Sequence, residues 1–380
     1  MDRFSAARRQ FAVTGHRIYF DLANQGPVPL CVLEELSRLH TEAYRRGPDK
    51  NTYLQRVETV RGQLATMLHC RRAEIAFVKN TSEAINVAAA GISYRAGDNV
   101  VVSHFEHPNN VYPWLALERR GVEVRMARPS GRVAIEEDLI SLIDGRTRAV
   151  ACSAVSFMPG ERLDLGRLAE ACHQNGAYLV VDAVQGAGII DLDVPSLGVD
   201  VLAAGCHKGL LTPHGVGLLY CRRDVCASIT PPFAARDGMK RQKPMEQETY
   251  EYAYAPLDDA RRFEIGNYNY SGVSALGRAV ELLLGLGLRN VQRRALDLGT
   301  RLIGGLCRLP GVEVWTPVEA GRRAGIVGFA VEDVERAAAA LLDAGVVFSI
   351  RRGAIRFSLG FYNTPDEVDR ALAVLEEVVN

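Results

Sequence analysis

The 380-residue chain has no excess charge of either sign, since 45 Lys and Arg face 45 Asp and Glu. That balance excludes a global field drawing the protein to nucleic acid or to an anionic membrane, and points to a small-molecule partner. It also lacks a long apolar run: the longest, around "AVELLLGLGL", falls well short of the ~20 residues a spanning helix needs. The opening "MDRFSAARRQF" has charges but no apolar segment after them, so no secretory signal is expected. None of the eight cysteines forms a CxxC pair. Their scatter through apolar stretches argues against a zinc site or a disulfide scaffold and fits a reduced, cytoplasmic compartment. Neither GxGxxG nor GxxxxGK[ST] occurs, so a nucleotide-dependent enzyme would need an unrecognised phosphate loop.

What is present is an alternation of two periods. From about Arg72 to Arg222, short β-branched runs ("EIAFVK", "NVVVS", "VEVRMA", "TRAVACS", "AYLVVD", "DVLAAG", "GVGLLYC") alternate with helical stretches such as "TSEAINVAAAGIS", "NNVYPWLALERR" and "DLGRLAEACHQNG". Such alternation predicts βαβ units and a largely parallel, buried sheet. A polar segment follows from roughly Thr230 to Ala260, where the aromatic-rich "ETYEYAYAP" suggests a lid or subunit contact over a sizeable substrate. The stretch Val273 to Leu306 predicts one long amphipathic helix. The last seventy or so residues ("VEVWTP", "VEDVERAAAALLDAG", "VVFSI", "AIRFSLG", "TPDEVDRALAVLEEVV") predict strand, helix, strand, strand, helix. The expected organisation is an N-terminal segment (1–45) partly joining the small domain, a large α/β domain (46–272), and a connecting helix with a small α+β domain (273–380).

One lysine stands in an almost uncharged run, "AAGCHKGLLTPHGVGLLY". Ligands of open α/β sheets bind beyond the carboxyl ends of the strands. Lys208 and His207 follow one predicted strand; Asp182 and then Gln185 follow another. A desolvated lysine has a lowered pKa and attacks carbonyls, and an aspartate that keeps a pyridine nitrogen protonated is its usual companion in pyridoxal phosphate enzymes. Taken singly, each residue has an ordinary alternative. A lone lysine snorkels to solvent, Asp182 caps the next turn, and Thr81-Ser82 is a helix N-cap. Their conjunction is what points to chemistry.

The segments "VDAVQG", "DVLAAGCHKGLLTPHGVGLLY", "NTSEAINVAAAG" and "SHFEHPNNVYPW", in order and spacing from about Tyr19 to Asn363, resemble the class V aminotransferases. These are fold-type-I pyridoxal phosphate enzymes, including cysteine desulfurases, C–S lyases, kynureninase and isopenicillin N epimerase. The resemblance implies a pyridoxal 5'-phosphate cofactor, an amino-acid substrate and a homodimer. It implies that Lys208 forms the Schiff base and moves protons at the substrate α-carbon, that Asp182 pairs with the pyridinium nitrogen, and that Gln185 bonds the phenolic oxygen. His107 would stack on the ring. Thr81, Ser82 and His207 would hold the phosphate, with Asn267 donated across the dimer. Arg356 would hold the substrate carboxylate, with Arg351 and Arg352 as nearby competitors. Asn24, with Gln25, lines the substrate side or merely forms a turn.

The chain departs from that pattern in places. Desulfurases carry a persulfide cysteine shortly before the arginine strand, whereas here no cysteine follows Cys307. Cys206 beside the lysine reads as a small buried thiol rather than a substitute. Gly205 stands where many relatives have serine, Phe157 where an asparagine often follows the serine matched by Ser156, and Asn267 where threonine is common. With the persulfide route removed, β-elimination at a cysteine S-conjugate leads. Transamination, epimerisation and decarboxylation-linked oxidative deamination follow, and a non-catalytic binding protein of the same fold is the alternative of another class.

Overall fold

The computed structural model describes residues 3–129, 131–240 and 253–379. Its strands are β1 (Ile18–Tyr19), β2 (Ile75–Val78), β3 (Asn99–Ser103), β4 (Glu123–Ala127), β5 (Thr147–Ser153), β6 (Tyr178–Asp182), β7 (Val201–Gly205), β8 (Gly217–Cys221), β9 (Glu313–Val314), β10 (Ile326–Ala330), β11 (Val346–Val347), β12 (Ser349–Arg351) and β13 (Ala354–Ser358).

Seven strands form the large sheet in the order β2-β8-β7-β6-β5-β3-β4. Every neighbouring pair from β7 to β4 is parallel; β8 runs antiparallel to both β2 and β7. The continuous apolar sequence of these strands follows from burial on both faces. Side chains alternate across the pleat: Val101, Val150, Leu179, Val181 and Leu202 enter one core, while Val100, Val102, Ala149, Val180 and Val201 enter the other. The first core is closed by the helices Leu30–Arg46, Lys50–Met67 and Tyr270–Leu286, the second by Thr81–Gly91. The stretch "NNVYPWLALERR" holds only one α-helical turn, Tyr112–Leu115, between 3-10 turns, with Pro113 near its start.

A second, antiparallel sheet has the order β12-β13-β10-β9. It packs on the helices Leu288–Leu306, Val334–Asp343 and Pro365–Val379 through Leu302, Phe329, Leu341, Phe357 and Leu375. The N-terminal strand β1 pairs in parallel with β11, and the chain beyond it is stitched to β13 by Ser358 N–H donating to the Phe20 carbonyl at 2.7 Å.

Three local expectations change. The stretch 273–306 is two helices, Tyr270–Leu286 and Leu288–Leu306, bent by 77°. The break falls at Gly287, whose φ of +80° is the left-handed region that glycine adopts without a Cβ penalty. "VVFSI" splits around Phe348, since Val346 and Val347 pair with β1 while Ser349–Arg351 pair with β13. The run "IVGFA" is a strand that the periodicity did not flag, and as β10 it lies between β13 and β9. Among the described residues no single helix is long and apolar enough to cross a membrane. Most of "ETYEYAYAP" lies outside the described residues.

Candidate active site

Five strands, β2, β3, β5, β6 and β7, end on one edge of the large sheet, and each is followed by a residue of chemical interest. β6 ends in Asp182 and pairs there with Ala203 of β7, so the turn carrying Lys208 starts on the neighbouring strand. That turn is held from the N-terminal segment. Gly26 N–H donates to the His207 carbonyl at 2.8 Å, and a Cβ at Gly26 would lie 2.3 Å from the Lys208 carbonyl oxygen. Glycine is required by this close approach.

Burial pulls the Lys208 ammonium down to about 8; the Asp182 carboxylate opposes this, while Arg356 and Arg351 add to it. Asp182 is buried, and burial pushes it up to about 6 against the Val184 N–H and the Lys208 charge. Its Oδ1 accepts from Val184 at 2.8 Å, and Oδ2 has no protein partner among the described residues. Gln185, also buried, donates from Nε2 to the Ala23 carbonyl at 3.0 Å and leaves Oε1 without a partner.

Thr81 and Ser82 open the helix Thr81–Gly91, which Asn80 caps by accepting from Glu83 N–H at 3.0 Å. That cap leaves the first amides of an eleven-residue helix for an anion. Gly205 N–H donates to Thr81 Oγ1 at 2.8 Å, which ties the helix start to the end of β7. The exchange of serine for Gly205 now has a steric companion: a Cβ there would stand 3.0 Å from the His207 ring and 3.1 Å from Thr81 Oγ1. His207 stacks on His214 with centroids 4.3 Å apart, and burial, then Lys208 and His214, push its pKa down to about 4. It is therefore a neutral hydrogen-bonding group near neutral pH. Asn267 is exposed, accepts from Lys50 Nζ at 3.3 Å, and shares a cleft of about 410 Å³ with Asn80 and Glu83 beside that helix start.

His107 follows β3 and is exposed, with its ring edge-on to Phe157 at 5.4 Å. Burial of its inner side, then the charges of Lys208 and Arg351, lower its pKa. Below it lies Glu106, which the sequence reading passed over. It is buried and accepts from Ser153 N–H (2.8 Å), Ser153 Oγ (2.5 Å) and Asn110 Nδ2 (2.8 Å). Burial raises it to about 8 in spite of those donors. Glu106 locks the His107 loop to the end of β5.

Arg356 is buried on β13. Its Nε donates to Ser349 Oγ at 3.1 Å and Nη1 to the Phe157 carbonyl at 2.9 Å, so the residue that replaces asparagine still takes part through its backbone. Nη2 has no hydrogen bond among the described residues; it is ion-paired at 3.7 Å with Asp21 Oδ1, which likewise lacks a hydrogen bond. Burial, then Arg351, lower the Arg356 pKa to about 10. Asn24 is exposed and donates to the other Asp21 oxygen at 3.1 Å. Asp21 is the second group missed; an acid closing the run "IYFD" was its only signal. Arg352 is exposed, with its guanidinium over Phe105 (4.9 Å) and Phe157 (5.2 Å).

A half-buried amine, a buried carboxylate on the adjoining strand end and an anion-ready helix start on one sheet edge define the class: a fold-type-I pyridoxal-phosphate-dependent enzyme. The orphaned Gln185 Oε1 and the free Asp182 oxygen are suited to that cofactor. The family model "Aminotransferase class-V" matches residues 18–371. A probable cysteine desulfurase of Methanothermobacter thermautotrophicus is 28% identical over 99% of this chain and 98% of the relative. The apo structure of the Thermococcus onnurineus NA1 cysteine desulfurase superposes with a TM-score of 0.87 at 26% identity, covering 98% of this chain and 97% of that one. The cystine C–S lyase C-DES, solved with cysteine persulfide, has the same fold, with a TM-score of 0.89 at 22% identity over 98% of this chain and all of that one. The chain belongs to the class-V aminotransferase family.

Proposed function

We propose that this enzyme cleaves the C–S bond of an L-cysteine S-conjugate by β-elimination. One observation supports the substrate side above others: on the same site as Lys208, the buried Arg356 Nη2 makes no hydrogen bond among the described residues and has only a long 3.7 Å ion pair with Asp21. Buried donors are seldom left unpaired, and a planar carboxylate fits a guanidinium fork. The turn before the Arg356 strand is Arg352-Gly353, with no thiol to receive sulfur. Cys206 is buried and its thiol pKa is raised by that burial, so it is no nucleophile.

Pyridoxal phosphate, when bound, supplies an electron sink for charge developing at the substrate α-carbon. The chain's own residues do the rest. Thr81, Ser82 and His207 would bind the phosphate, joined by Asn267 of a second subunit in a homodimer. Asp182 would keep a proton on the ring nitrogen, a cation that would offset its own burial. His107 would stack on the ring and limit water there. Gln185 would bond the phenolic oxygen. Arg356 fixes the carboxylate, which sets the α-hydrogen toward Lys208, and Asn24 lines the entrance. The Lys208 amine, near neutral pKa, takes the proton from the α-carbon. The C–S bond then breaks with its electron pair on sulfur, the thiol departs with a proton, and hydrolysis of the remaining three-carbon unit yields pyruvate and ammonia.

The test is a panel of L-amino acids and S-substituted L-cysteines given to the cofactor-loaded enzyme, with thiol and pyruvate as readouts. Stoichiometric thiol and pyruvate are expected from the conjugates. Lys208→Ala should lower turnover by at least about 10³-fold, and borohydride should fix the cofactor to Lys208 in the unsubstituted enzyme alone. If no conjugate releases thiol or pyruvate, C–S lysis is refuted.

A further inference from the structure

We propose that Arg351 is a second anion-binding group of this site, and that the substrate is a cysteine S-conjugate whose S-substituent ends in a carboxylate. This rests on the reading above for its chemistry, but not for its geometry. In the β12–β13 hairpin Ser349 lies opposite Arg356 and Arg351 opposite Ala354. Residues two apart on a strand share a face, so Arg351 projects from the same face as Ser349 and Arg356, toward the site. Its charge is felt there: after burial it is the next cause lowering Arg356, and it adds to the lowering of His107 and Lys208.

Arg351 is half-buried, and among the described residues its guanidinium makes one hydrogen bond, from Nη1 to the neighbouring Ile350 carbonyl at 2.9 Å. None of the acids around the site forms an ion pair with it among the described residues, and Asp182 accepts from Val184 N–H. Glu106 is held by Ser153 and Asn110, Glu161 by Ser156, and Asp21 faces Arg356 and Asn24. A guanidinium without a counter-ion, on the face that carries the carboxylate-binding arginine, calls for an anion from outside.

Spacing narrows the chemistry. Arg351 is displaced from the Ser349–Arg356 pair by two strand residues, about 7 Å. Two carboxyl carbons separated by Cα, Cβ, sulfur and one methylene are about 6 Å apart when extended. Between the two arginines the S-substituent would pass the His107 and Phe157 rings, which stand 5.4 Å apart. The class is an S-carboxyalkyl cysteine.

The experiment compares S-carboxymethyl-L-cysteine with its neutral isostere S-carbamidomethyl-L-cysteine on the cofactor-loaded enzyme. Two readouts are taken: kcat/KM for thiol release, and Kd from titration of the cofactor's visible absorbance. The acid should bind at least about tenfold tighter than the amide. In Arg351→Gln the acid-to-amide ratio should fall by about that factor in both readouts, and Arg351→Lys should retain part of it. Comparing ratios cancels the difference between the two leaving groups. Equal Kd values for acid and amide in the unsubstituted enzyme overturn the proposal, as does a loss in Arg351→Gln shared equally by both compounds. Should neither compound release thiol, the S-carboxyalkyl class is overturned as substrate, the wider panel decides the lysis reading, and the absorbance titration still decides the role of Arg351.

Discussion

The two ends of the site are built in different ways. At the proposed cofactor end, Asp182 closes one strand and Lys208, Gln185 and Thr81 follow strands of the same sheet, their spacing set by hydrogen-bonded neighbours such as Asp182 and Ala203. At the substrate end, Arg356 comes from the small sheet, its contact Phe157 from the loop after β5, and Asp21 and Asn24 from the N-terminal segment. Such an assembly of distant segments is where loops and small elements differ most between relatives, because no shared ladder fixes it. On the proposed roles, cofactor chemistry would fall to the sheet edge and selectivity to the segments that meet around it.

The sharpest test of that division is Arg356→Gln. It removes a charged fork from the proposed carboxylate site, at about 2–4 kcal/mol, or about 30- to 10³-fold in kcat/KM. Cofactor affinity, followed by absorbance, should stay within about threefold. A parallel collapse of cofactor binding would show that the two ends are not separable.

Asp182 gives a smaller effect with a definite pH signature. Its pKa is raised on folding, so its contribution to the apo-protein is full below the unfolded value near 3.8 and is lost as pH rises through about 6. Asp182→Asn should therefore stabilise the apo-protein at pH 8 by roughly 1.4 kcal/mol more than at pH 5, while weakening cofactor binding. Denaturant midpoints at the two pH values measure it. A stability difference that does not depend on pH would mean that the buried carboxylate is compensated within the protein.

Gly205→Ser should have the smallest effect. The new Cβ would crowd the His207 ring at 3.0 Å and Thr81 Oγ1 at 3.1 Å. Cofactor affinity should fall about fivefold, roughly 1 kcal/mol, with substrate KM unchanged. Tighter binding would show instead that His207 turns aside and that the added hydroxyl joins the phosphate cup.

The cofactor end was legible because strand, turn and helix start are local, and the relevant residues sit within a few positions of an apolar run. Lys208, Asp182 and the Thr81 helix start lie at element ends that periodicity alone predicts. Asp21 and Glu106 left almost no trace. An acid after a strand looks like a turn residue until the guanidinium or the hydroxyl opposite is known, and those partners are Arg356, 335 positions on, and Ser153, 47 positions on. Gly287 shows the same limit for the fold. Its helical surroundings continue the amphipathic pattern, and only its positive φ turns one expected helix into two.

By itself, then, the order of residues determined the alternating architecture, the lysine–aspartate pair and the helix start, since these depend on period, propensity and nearest neighbours along the chain. Folding alone decided which buried groups of the site lack a hydrogen bond among the described residues, Gln185 Oε1, Arg356 Nη2 and Asp21 Oδ1 among them. A hydrogen bond is a relation between two atoms in space. Whether it is satisfied depends on what packing brings within about 3 Å, and no single segment carries that information.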